Sequence, residues 1–539
     1  MIKLIQKYPL LTIALYTMAL LLPNLTALEV GIMEARNFIT AREMLTDGNW
    51  ILTTFNGIPR YQKPPLPTWI TAFFGYLFGL DKIWALRLPG VFMVMTLGMG
   101  IFKLSRKLTL SKPHSLYNSL IAITSLYVVL IIFDAPWDIY ASTFLLWSIY
   151  YMMRWFAKEK TVQSGVLTVL FMAASVLSKG PVALYALLLP FLIAYFSCFY
   201  TQEIRKRIGY FVGLFIAGLI IGFSWHLYVR YVDSENFTRI AAKETANWSS
   251  YNVRPFYYYW SFFVQSGIWT LPAFMSLLYP YLKTRVIHLK AYQFTLLWTV
   301  VAVVLLSIIP EKKSRYLMPV LIPLAINCGF YIEYVIRSFK DFTNSKEKTP
   351  VYIHFGILAL LFISSIGIVL WAPVFKEVPW VVYILLVIPL FIGLFIFKEL
   401  LFSKNIKRAF YWVLMGLLAI GFAISPIEKS PIVNKNYRAF EKLKNPSQLP
   451  LYGYKVNVAE LIWAYNEKIP NIKEFDVKGN TLESQFLVLE CAVCDYNIEE
   501  EFNGYHLQMV DSININRVSK GAKRYKRRKA ARIFLATRK

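Results

Sequence analysis

The sequence predicts a polytopic α-helical membrane protein with a small α/β domain near its C-terminal end. Of its 539 residues, 57% are hydrophobic and the mean hydropathy is +0.47, which is too apolar for a soluble globular domain. Apolar runs long enough to cross a membrane recur along the chain. The formal net charge of +27 indicates basic cytoplasmic loops and contact with anionic lipids. Nucleic acid is not expected as a partner, because the positive charge is spread among the spans.

Thirteen apolar runs are interpreted as transmembrane spans, and the N-terminal one is kept as a span because no clear signal-peptide cleavage site follows it. They cover residues 8–28, 86–104, 116–133, 139–156, 162–178, 181–199, 209–231, 257–281, 291–309, 316–336, 351–371, 379–397 and 409–425. Together they define a transmembrane domain over residues 1–425.

The apolar stretch PPLPTWITAFFGYLFGL (64–80) is interpreted as a helix lying on the membrane surface. Counting it as a span would invert the rest of the chain and place the basic clusters at 103–112 and 205–207 outside, against the positive-inside rule. The outer side then carries the long loop 29–85, which holds two membrane-surface helices. Three further loops lie on that side, near 134–138, 232–256 and 310–315.

The polar C-terminal part is predicted to lie outside as well. Residues 426–515 alternate β-like runs such as QFLVLECAV with helical ones such as VAELIWAYNEK, which favours a small α/β domain. Residues 516–539 form a basic tail, with ten Lys or Arg in the last twenty residues. We expect a solvated end, or else a segment that attracts anionic headgroups. Cys491 and Cys494 form a lone C-x-x-C, interpreted as coincidence or a simple disulfide.

The stretch GIMEARNFITAREML (31–45) places charges in the first outer loop. Read as a helix, it puts Glu34, Phe38, Ala41 and Leu45 on one face. A carboxylate on the apolar face of a helix is costly unless something requires it. Glu34 is therefore a candidate catalytic acid or base, and the alternative is a structural ion pair with an arginine.

Three further stretches bring cations and a second acid to the same side. FNGIPRYQKPPLPTW (55–69) is predicted to be a rigid turn that delivers Arg60 and Lys63 to the membrane surface, where they suit a phosphate or simply snorkel. FDAPWDIYAST (133–143) carries Asp138, which is a second candidate catalytic group or a helix cap. LSKGPVALY (177–185) places Lys179 at an outer turn.

Two later outer segments add basic and phenolic groups. RPFYYYW (254–260) begins with Arg254, and IPEKKSRYLMP (309–319) carries Lys313, Arg315 and Tyr316. Several separate cations and two acids on one face favour an anionic lipid ligand together with a carboxylate that has a chemical task.

The order of these motifs resembles a known family. EARNFITAREML followed by GNWILTTFNGIPRYQKPPLPTW resembles the first outer loop of the bacterial aminoarabinose–lipid A transferases and of the related protein O-mannosyltransferases. LSKG, RPFYYYW and KKSRYLMP are similar to later motifs of the same family, in the same order, so the resemblance covers about residues 1–330. These proteins are GT-C-type glycosyltransferases that use polyprenyl-phosphate sugars.

The resemblance implies a GT-C-like fold and an inverting transfer from an undecaprenyl-phosphate-linked sugar. The acceptor would be a lipid A-like molecule, a glycan or a protein, and the active site and the C-terminal domain would lie on the periplasmic side of a bacterial inner membrane. No cofactor is expected to be required, although a divalent metal is compatible with the chemistry. Arg36, Lys63 and Tyr316 match family positions around the lipid phosphate and the sugar.

Three departures from the family pattern concern the site itself. Met33 replaces the acidic residue of the first loop, Asn37 replaces a tyrosine, and Gln62 replaces a glutamate. Asp138 matches the second acid of the family. The sequence therefore predicts Glu34 and Asp138 as catalytic groups. The predicted ligands of the donor phosphate and sugar are Arg36, Arg60, Lys63, Lys179, Arg254, Lys313, Arg315 and Tyr316.

Two other classes of protein also have many spans and charges. A lipid or sugar transporter would carry charges deep within its spans and duplicated halves, and the sequence shows few such charges and no duplicated half. A scaffold or receptor would leave the outer cations and acids without a task.

Overall fold

The computed structural model describes residues 2–134, 136–371, 379–426, 434–440, 449–454, 456, 458–472, 483–491, 498–523 and 525–539. Most of the chain up to residue 426 is helical, and a mixed sheet follows it. Cys494 and part of its surroundings lie outside the described residues, so the interpretation of the C-x-x-C stays a prediction.

The helices of the N-terminal half follow the predicted apolar runs closely. They are α1 (Ile2–Lys7), α2 (Pro9–Leu21), α3 (Ile32–Thr46), α4 (Leu66–Phe78), α5 (Ile83–Lys107), α6 (Lys112–Thr124), α7 (Leu126–Asp134), α8 (Pro136–Phe156), α9 (Thr161–Lys179), α10 (Leu189–Phe199), α11 (Gln202–Val232) and α12 (Ser234–Ser250).

The helices that follow complete the bundle and enter the C-terminal domain. They are α13 (Thr270–Leu277), α14 (Tyr279–Leu282), α15 (Leu289–Ile308), α16 (Met318–Ser338), α17 (Ser345–Ile363), α18 (Ser365–Trp371), α19 (Trp380–Leu385), α20 (Val387–Leu401), α21 (Ile406–Ile424), α22 (Ala459–Tyr465) and α23 (Ile498–Glu501).

Among the described residues, seven helical segments are long and apolar enough to cross a membrane, or eight if the pair α6 and α7, bent by 45°, is one span. Three shorter apolar helices cover Pro9–Asn24, Leu66–Phe78 and Leu184–Phe199. A helical membrane protein is therefore confirmed, and the count of thirteen spans stays a prediction. Helix α4 has 13 residues, which at about 1.5 Å per residue is too short to cross a bilayer.

The predicted span over residues 257–281 is wrong as one regular helix. Two 3-10 segments, Phe256–Tyr259 and Phe262–Trp269, precede α13, and the second is kinked at Gly267 with φ 64°. A Cβ atom at Gly267 would lie 2.5 Å from Cβ of Leu126. The close approach to α7 and the positive φ both require glycine, and they break the helix.

The helix read over residues 31–45 is present as α3, and it is more buried than a helix on a membrane surface would be. Helix α3 packs against α4 on one side and α22 on another, and most of its residues are buried, including Thr40 and Glu43. The Phe38 and Trp463 rings lie 5.3 Å apart, centroid to centroid. The C-terminal domain covers the face of α3 that carries Phe38, and the local sequence pattern does not reveal this contact.

A four-stranded sheet forms the core of the C-terminal domain. Its strands are β3 (Leu451–Tyr454), β4 (Gln485–Cys491), β5 (Tyr505–Asn514) and β6 (Ala530–Arg538), in the order β3-β4-β6-β5. Strands β3 and β4 are parallel, and the other pairs are antiparallel. The outer loop carries a separate two-stranded hairpin, β1 (Thr54–Phe55) and β2 (Ile58–Pro59).

The predicted division into a domain at 426–515 and a solvated tail at 516–539 requires correction. Strand β6 lies inside the tail and is a central strand of the sheet, paired on both edges. Ala531, Ile533, Phe534 and Ala536 are buried. The many cations obscured a strand whose apolar residues complete the sheet on both of its faces.

The C-terminal domain is attached directly to the outer loop. Glu29 pairs with Arg517 at 2.8 Å and with Lys529 at 3.0 Å. The side chain of Asn56 exchanges two hydrogen bonds with the backbone of Ile469, at 2.6 and 2.8 Å. The domain therefore holds the loop on which four of the ten predicted site residues lie.

Candidate active site

The hairpin at the start of the site is held by one buried carboxylate. Glu43 on α3 accepts hydrogen bonds from Thr54 Oγ1 at 2.5 Å, from the backbone N–H of Asn56 at 2.6 Å and from that of Gly57 at 3.3 Å. Asn56 and Gly57 have φ values of 57° and 74°, which suit the tight hairpin turn predicted from the Asn-Gly pair. The predicted rigid turn is thus confirmed.

The segments on both sides of the hairpin are fixed against α11 and the start of α12. Tyr61 donates a hydrogen bond of 2.8 Å to Asp233, and Trp225 Nε1 donates one of 2.8 Å to the carbonyl of Ile51. Burial and its hydrogen bond to Asp233 raise the pKa of Tyr61, so it stays a neutral donor. Arg60 and Lys63 flank this anchored tyrosine, and their backbone is held in place with it.

Two arginines meet at one side of the anchored segment. The guanidinium of Arg60 donates to the carbonyl of Arg36 at 3.2 Å and to Thr40 Oγ1 at 3.0 Å. It lies 5.3 Å from the ring centroid of Trp137. Burial, and then the neighbouring charge of Arg36, lower the pKa of Arg60 to about 9. Arg36 itself is exposed.

Lys63 is a half-buried cation that has no ion pair among the residues that the structure describes. Burial, and then the charge of Lys179, lower the pKa of its ammonium group to about 8. Glu244, Asp138 and Arg60 are also close enough to act on it electrostatically. Lys63 is therefore a desolvated cation between other cations, with no carboxylate bound to it.

Asp138 and Lys179 form an ion pair next to Lys63. Asp138 lies in the first turn of α8, and Lys179 is the last residue of α9. The Lys179 ammonium also lies 5.1 Å from the ring centroid of Tyr316. Lys313 and Arg315 act on the same ammonium electrostatically. The pair thus lies between two of the predicted segments. Lys63 of residues 55–69 is on one side of it, and Tyr316 of residues 309–319 is on the other.

The loop before α16 adds Lys313, Arg315 and Tyr316 to the group of charged side chains around Lys63 and Lys179, which we call the cation cluster. Glu311 accepts hydrogen bonds from Lys313 Nζ and, at 3.1 Å, from the hydroxyl of Tyr316. The Lys313 ammonium lies 5.5 Å from the ring centroid of Tyr316. Lys312 is instead buried and donates to the backbone carbonyls of Arg254 and Ile309, so it serves to fix the loop.

Arg254 is connected to the loop of Lys313 through its backbone. Its backbone N–H donates to the carbonyl of Pro310, beside an isolated bridge between Val253 and Glu311. Its side chain is exposed. The structure therefore places the residue beside the loop of Lys313 without showing a contact of its guanidinium with the other cations.

Glu34 occupies a different environment from Asp138. Its two carboxylate oxygens accept hydrogen bonds from Arg87 Nε at 2.7 Å and Arg87 Nη2 at 2.8 Å, with both side chains almost fully buried. One of the oxygens also accepts the backbone N–H of Gly31 at 3.1 Å. Arg87 is held in turn by the carbonyls of Leu25 and Leu28. This geometry favours the structural alternative for Glu34, and its catalytic assignment stays a prediction.

Sequence reasoning missed three charged residues. Arg87, the partner of Glu34, lies within an apolar run. Glu311 lies in a segment that was interpreted only through its cations. Glu244 on α12 acts electrostatically on Arg60 and Lys63. A signal for Glu244 was present, because Phe237 and Ile240 precede it by seven and four residues and therefore share its helix face.

Helix α12 uses this face to pack on the anchored segment. Ile240 forms a small buried cluster with Tyr61, Trp225 and Val229, and Phe237 packs against it. Glu244 lies one turn farther along the same face, which directs it toward the residues that flank Tyr61. The outer loop 232–256 thus contributes an acid to the cluster.

The departures from the family pattern also have places in the structure. Gln62 lies between Tyr61 and Lys63, and its amide oxygen is buried without a hydrogen-bond partner among the described residues. Met33 precedes Glu34 on α3 and leaves that position without a charge. In the described part of the chain, no three His, Cys, Asp or Glu side chains converge as metal ligands would. The expectation that no metal is required stays a prediction.

The chain is similar to known glycosyltransferases in sequence. Residues 62–228 match the model of the dolichyl-phosphate-mannose-protein mannosyltransferase family. An uncharacterized protein of Aquifex aeolicus is 26% identical over 297 residues, which cover 53% of this chain and 56% of that protein. An undecaprenyl phosphate-alpha-4-amino-4-deoxy-L-arabinose arabinosyl transferase of Shewanella sediminis is 25% identical over 340 residues, 59% of this chain and 58% of that enzyme. The alignments therefore span little more than half of these two relatives.

A longer alignment links the chain to the transferase of the same name from Serratia proteamaculans, with 23% identity over 455 residues, 79% of this chain and 75% of that enzyme. The fold is similar to that of ArnT from Cupriavidus metallidurans. The crystal structure of that protein bound to undecaprenyl phosphate matches with a TM-score of 0.67 and 15% identity, over 98% of this chain and 97% of that one. Its apo structure matches with a TM-score of 0.68. The resemblance to GT-C-type glycosyltransferases is confirmed.

Proposed function

We propose that this chain, a GT-C-type glycosyltransferase by its sequence matches and its fold, transfers a sugar from a polyprenyl-phosphate donor to a lipid, glycan or protein acceptor. The relatives are named as transferases that use an undecaprenyl-phosphate sugar. The crystallised neighbour binds undecaprenyl phosphate. These names support the donor class.

The proposal rests on one observation: Lys63 is half-buried and forms no ion pair among the described residues. A partly desolvated cation is costly to hold without a counter-ion, and its cost falls when an anion binds. Lys63 lies beside Arg60 and Lys179, and only Lys179 has a carboxylate bound to it. One phosphate group placed among these three cations would supply the missing charge. An anionic lipid headgroup fits such a position at the membrane boundary.

The chemistry then follows from the charges. The bond between C1 of the sugar and the phosphate oxygen breaks, and its electron pair leaves with the lipid phosphate. Lys63, Arg60 and Arg36 stabilise the charge that develops on this leaving group. An acceptor hydroxyl forms the new bond to C1 and gives its proton to Asp138, which is paired with Lys179. An acceptor phosphate would need no base. Backside attack at C1 gives inversion.

Under this proposal Glu34 is a positioning residue. Its bidentate pair with Arg87 joins the start of α3 to the start of α5, and Arg36 follows two residues later on the same helix. Both oxygens of Glu34 accept hydrogen bonds from Arg87, and the side chain is almost fully buried. Asp138 is the acid with access to the cation cluster.

The finer membrane arrangement is part of the same proposal. The thirteen-span topology places basic loops on the cytoplasmic side, and it places the active site and the C-terminal domain on the periplasmic side of a bacterial inner membrane. The attachment of the C-terminal domain to the outer loop through Glu29 and Asn56 supports a common side for both.

A transfer assay in membranes tests the proposal. Membranes containing the protein would receive undecaprenyl-phosphate donors that carry labelled mannose, aminoarabinose or other sugars. We expect label to reach an acceptor with the wild type, and transfer to fall about 100-fold with Lys63→Gln, because one stabilising charge is lost. The matched control is Lys82→Gln, which changes an exposed lysine of the same outer loop and should leave transfer intact.

The product separates the remaining alternatives. The match to the mannosyltransferase family model favours a protein acceptor, and protease-sensitive label from the mannose donor would support it. Label that partitions with lipid would support a lipid A-like acceptor. Movement of an intact donor across vesicle membranes without transfer to any acceptor would contradict the proposal and support a transporter.

A further inference from the structure

A second group of cations lies at the end of the bundle opposite to the candidate active site. Helix α5 begins near Arg87, beside Glu34, and ends at Lys107; its 25 residues span about 37 Å. At this second end a cavity of about 560 Å³ lies between the junction of α1 and α2, the end of α5 and the start of α6. Five cations line it: Lys7, Lys103, Arg106, Lys107 and Lys112.

The cavity carries a net positive charge. Lys107 pairs with Glu159, and Arg106 donates to the carbonyl of Leu110. Lys7, Lys103 and Lys112 form no ion pair within the described part of the chain, and no carboxylate lines the cavity there. Three lysines without an ion pair therefore line one space.

The remaining walls are apolar. The rest of the lining consists of Tyr8, of Pro9, Leu10 and Leu11 from α2, of Phe102 from α5 and of Tyr150 from α8. A volume of this size is typical of small-molecule sites. A cationic rim above apolar walls matches a molecule that carries a phosphate next to hydrocarbon, and a free inorganic anion would leave the apolar walls unused.

We propose that this cavity binds the headgroup of an anionic phospholipid, with its acyl chains along α2 and α5. Basic pockets between helices on the cytoplasmic side of a membrane recognise such headgroups, and the positive-inside rule places this end of α5 on that side. The site is separate from the donor site and does not depend on the proposed transfer.

Ordinary snorkelling lysines do not account for the arrangement. Lys340, Lys346 and Lys404 are exposed, lie in segments predicted on the same side, and do not line the cavity. They provide a control set with the same charge and no shared cavity.

The test is the stabilisation of the purified protein by defined lipids in detergent. The thermal midpoint would be titrated with phosphatidylglycerol, and with phosphatidylcholine as the zwitterionic control. We expect phosphatidylglycerol to raise the midpoint of the wild type at low concentration. The triple variant Lys7→Gln, Lys103→Gln, Lys112→Gln should require roughly 100-fold more lipid, since each cation near an anionic headgroup contributes about fivefold in affinity. The triple variant Lys340→Gln, Lys346→Gln, Lys404→Gln should respond as the wild type does.

Three outcomes would overturn the proposal. An equal lipid response in the cavity variant and the wild type would show that the cavity is not the site. Equal stabilisation by phosphatidylcholine would remove the role of charge, and equal stabilisation by inorganic phosphate would remove the role of the lipid. The midpoints without added lipid must agree between the variants, and this measurement shows that the three exposed or half-exposed lysines were replaced without damage to the fold.

Discussion

The two predicted acids of the outer side lie in contrasting surroundings. Glu34 is fully buried, and a single arginine engages both of its oxygens in a bidentate pair. Asp138 pairs with Lys179, whose ammonium also faces Tyr316 and adjoins Lys63. Glu34 is held in a buried bidentate ion pair. Asp138 lies at the edge of a cluster in which cations outnumber carboxylates.

This contrast shows how pairing separates structural from functional charges. A bidentate buried pair satisfies its own charge and holds two helices together, so removing one partner mainly affects folding. A pair beside unpaired cations can exchange partners with an incoming anion. Substitutions at the two acids should therefore affect different measurements, and the following predictions sharpen or break that difference.

The largest effect is expected for Glu34→Gln, on stability. It leaves the buried Arg87 guanidinium without its counter-charge, which costs about 3–5 kcal/mol of the free energy of unfolding. The measurement is the thermal midpoint of the purified protein. Glu29→Gln is the control, because it removes a half-exposed carboxylate worth about 0–1 kcal/mol. A Glu34→Gln protein of normal stability that transfers no sugar would restore Glu34 to the catalytic role.

Asp138→Asn should lower the rate of sugar transfer. If the acceptor is a hydroxyl, loss of the base should lower kcat by about 100-fold or more, with a smaller loss of stability than Glu34→Gln causes. Transfer kinetics and thermal midpoints of the same preparations would be compared. Full activity would exclude Asp138 as the base and would be the result expected for an acceptor phosphate.

A pH effect on donor binding should follow from Lys63. The pKa of its ammonium is lowered to about 8, so the free protein loses this positive charge as the pH rises through that value. Binding of the anionic donor should then weaken by about tenfold per pH unit above 8. In Lys63→Arg, whose guanidinium stays charged over this pH range, the fall should be absent. Equal profiles of KM against pH in the two proteins would contradict the role of Lys63.

The smallest effect is expected at Glu244, with the opposite sign. This carboxylate acts on Arg60 and Lys63, so Glu244→Gln should strengthen the attraction for phosphate by about 0.2–1 kcal/mol. The dissociation constant of undecaprenyl phosphate would decrease by about 1.4- to fivefold. Glu235→Gln, at the start of the same helix, is the control. Weaker binding in Glu244→Gln would show that the acid contacts the donor directly.

Much of the local structure could be predicted from residue patterns. The Asn-Gly pair at 56–57 predicted the tight turn, because few other residues adopt two consecutive positive φ values. The helix over 66–78 followed from its apolar run and its prolines. Each of these features depends on neighbours within a few residues.

The errors concern contacts between distant segments. The strand at 530–538 looked like a solvated tail, because its partners lie about 20 to 50 residues away and its cations dominate the composition. The break at Gly267 depends on the approach of Leu126, and the burial of α3 depends on a domain that follows it by more than 400 residues.

Composition, hydropathy and motif order were sufficient to identify a helical membrane protein with a GT-C-like outer loop. They also named nearly every charge of the cluster, because residue type and position along the chain determine which groups reach the membrane boundary. The sequence could not tell which acid is closed in a pair and which borders the cations. That assignment required the tertiary structure, because the effect of a charge depends on its nearest neighbours in space. The partner of Glu34 lies 53 residues away along the chain, and the partner of Asp138 lies 41 residues away.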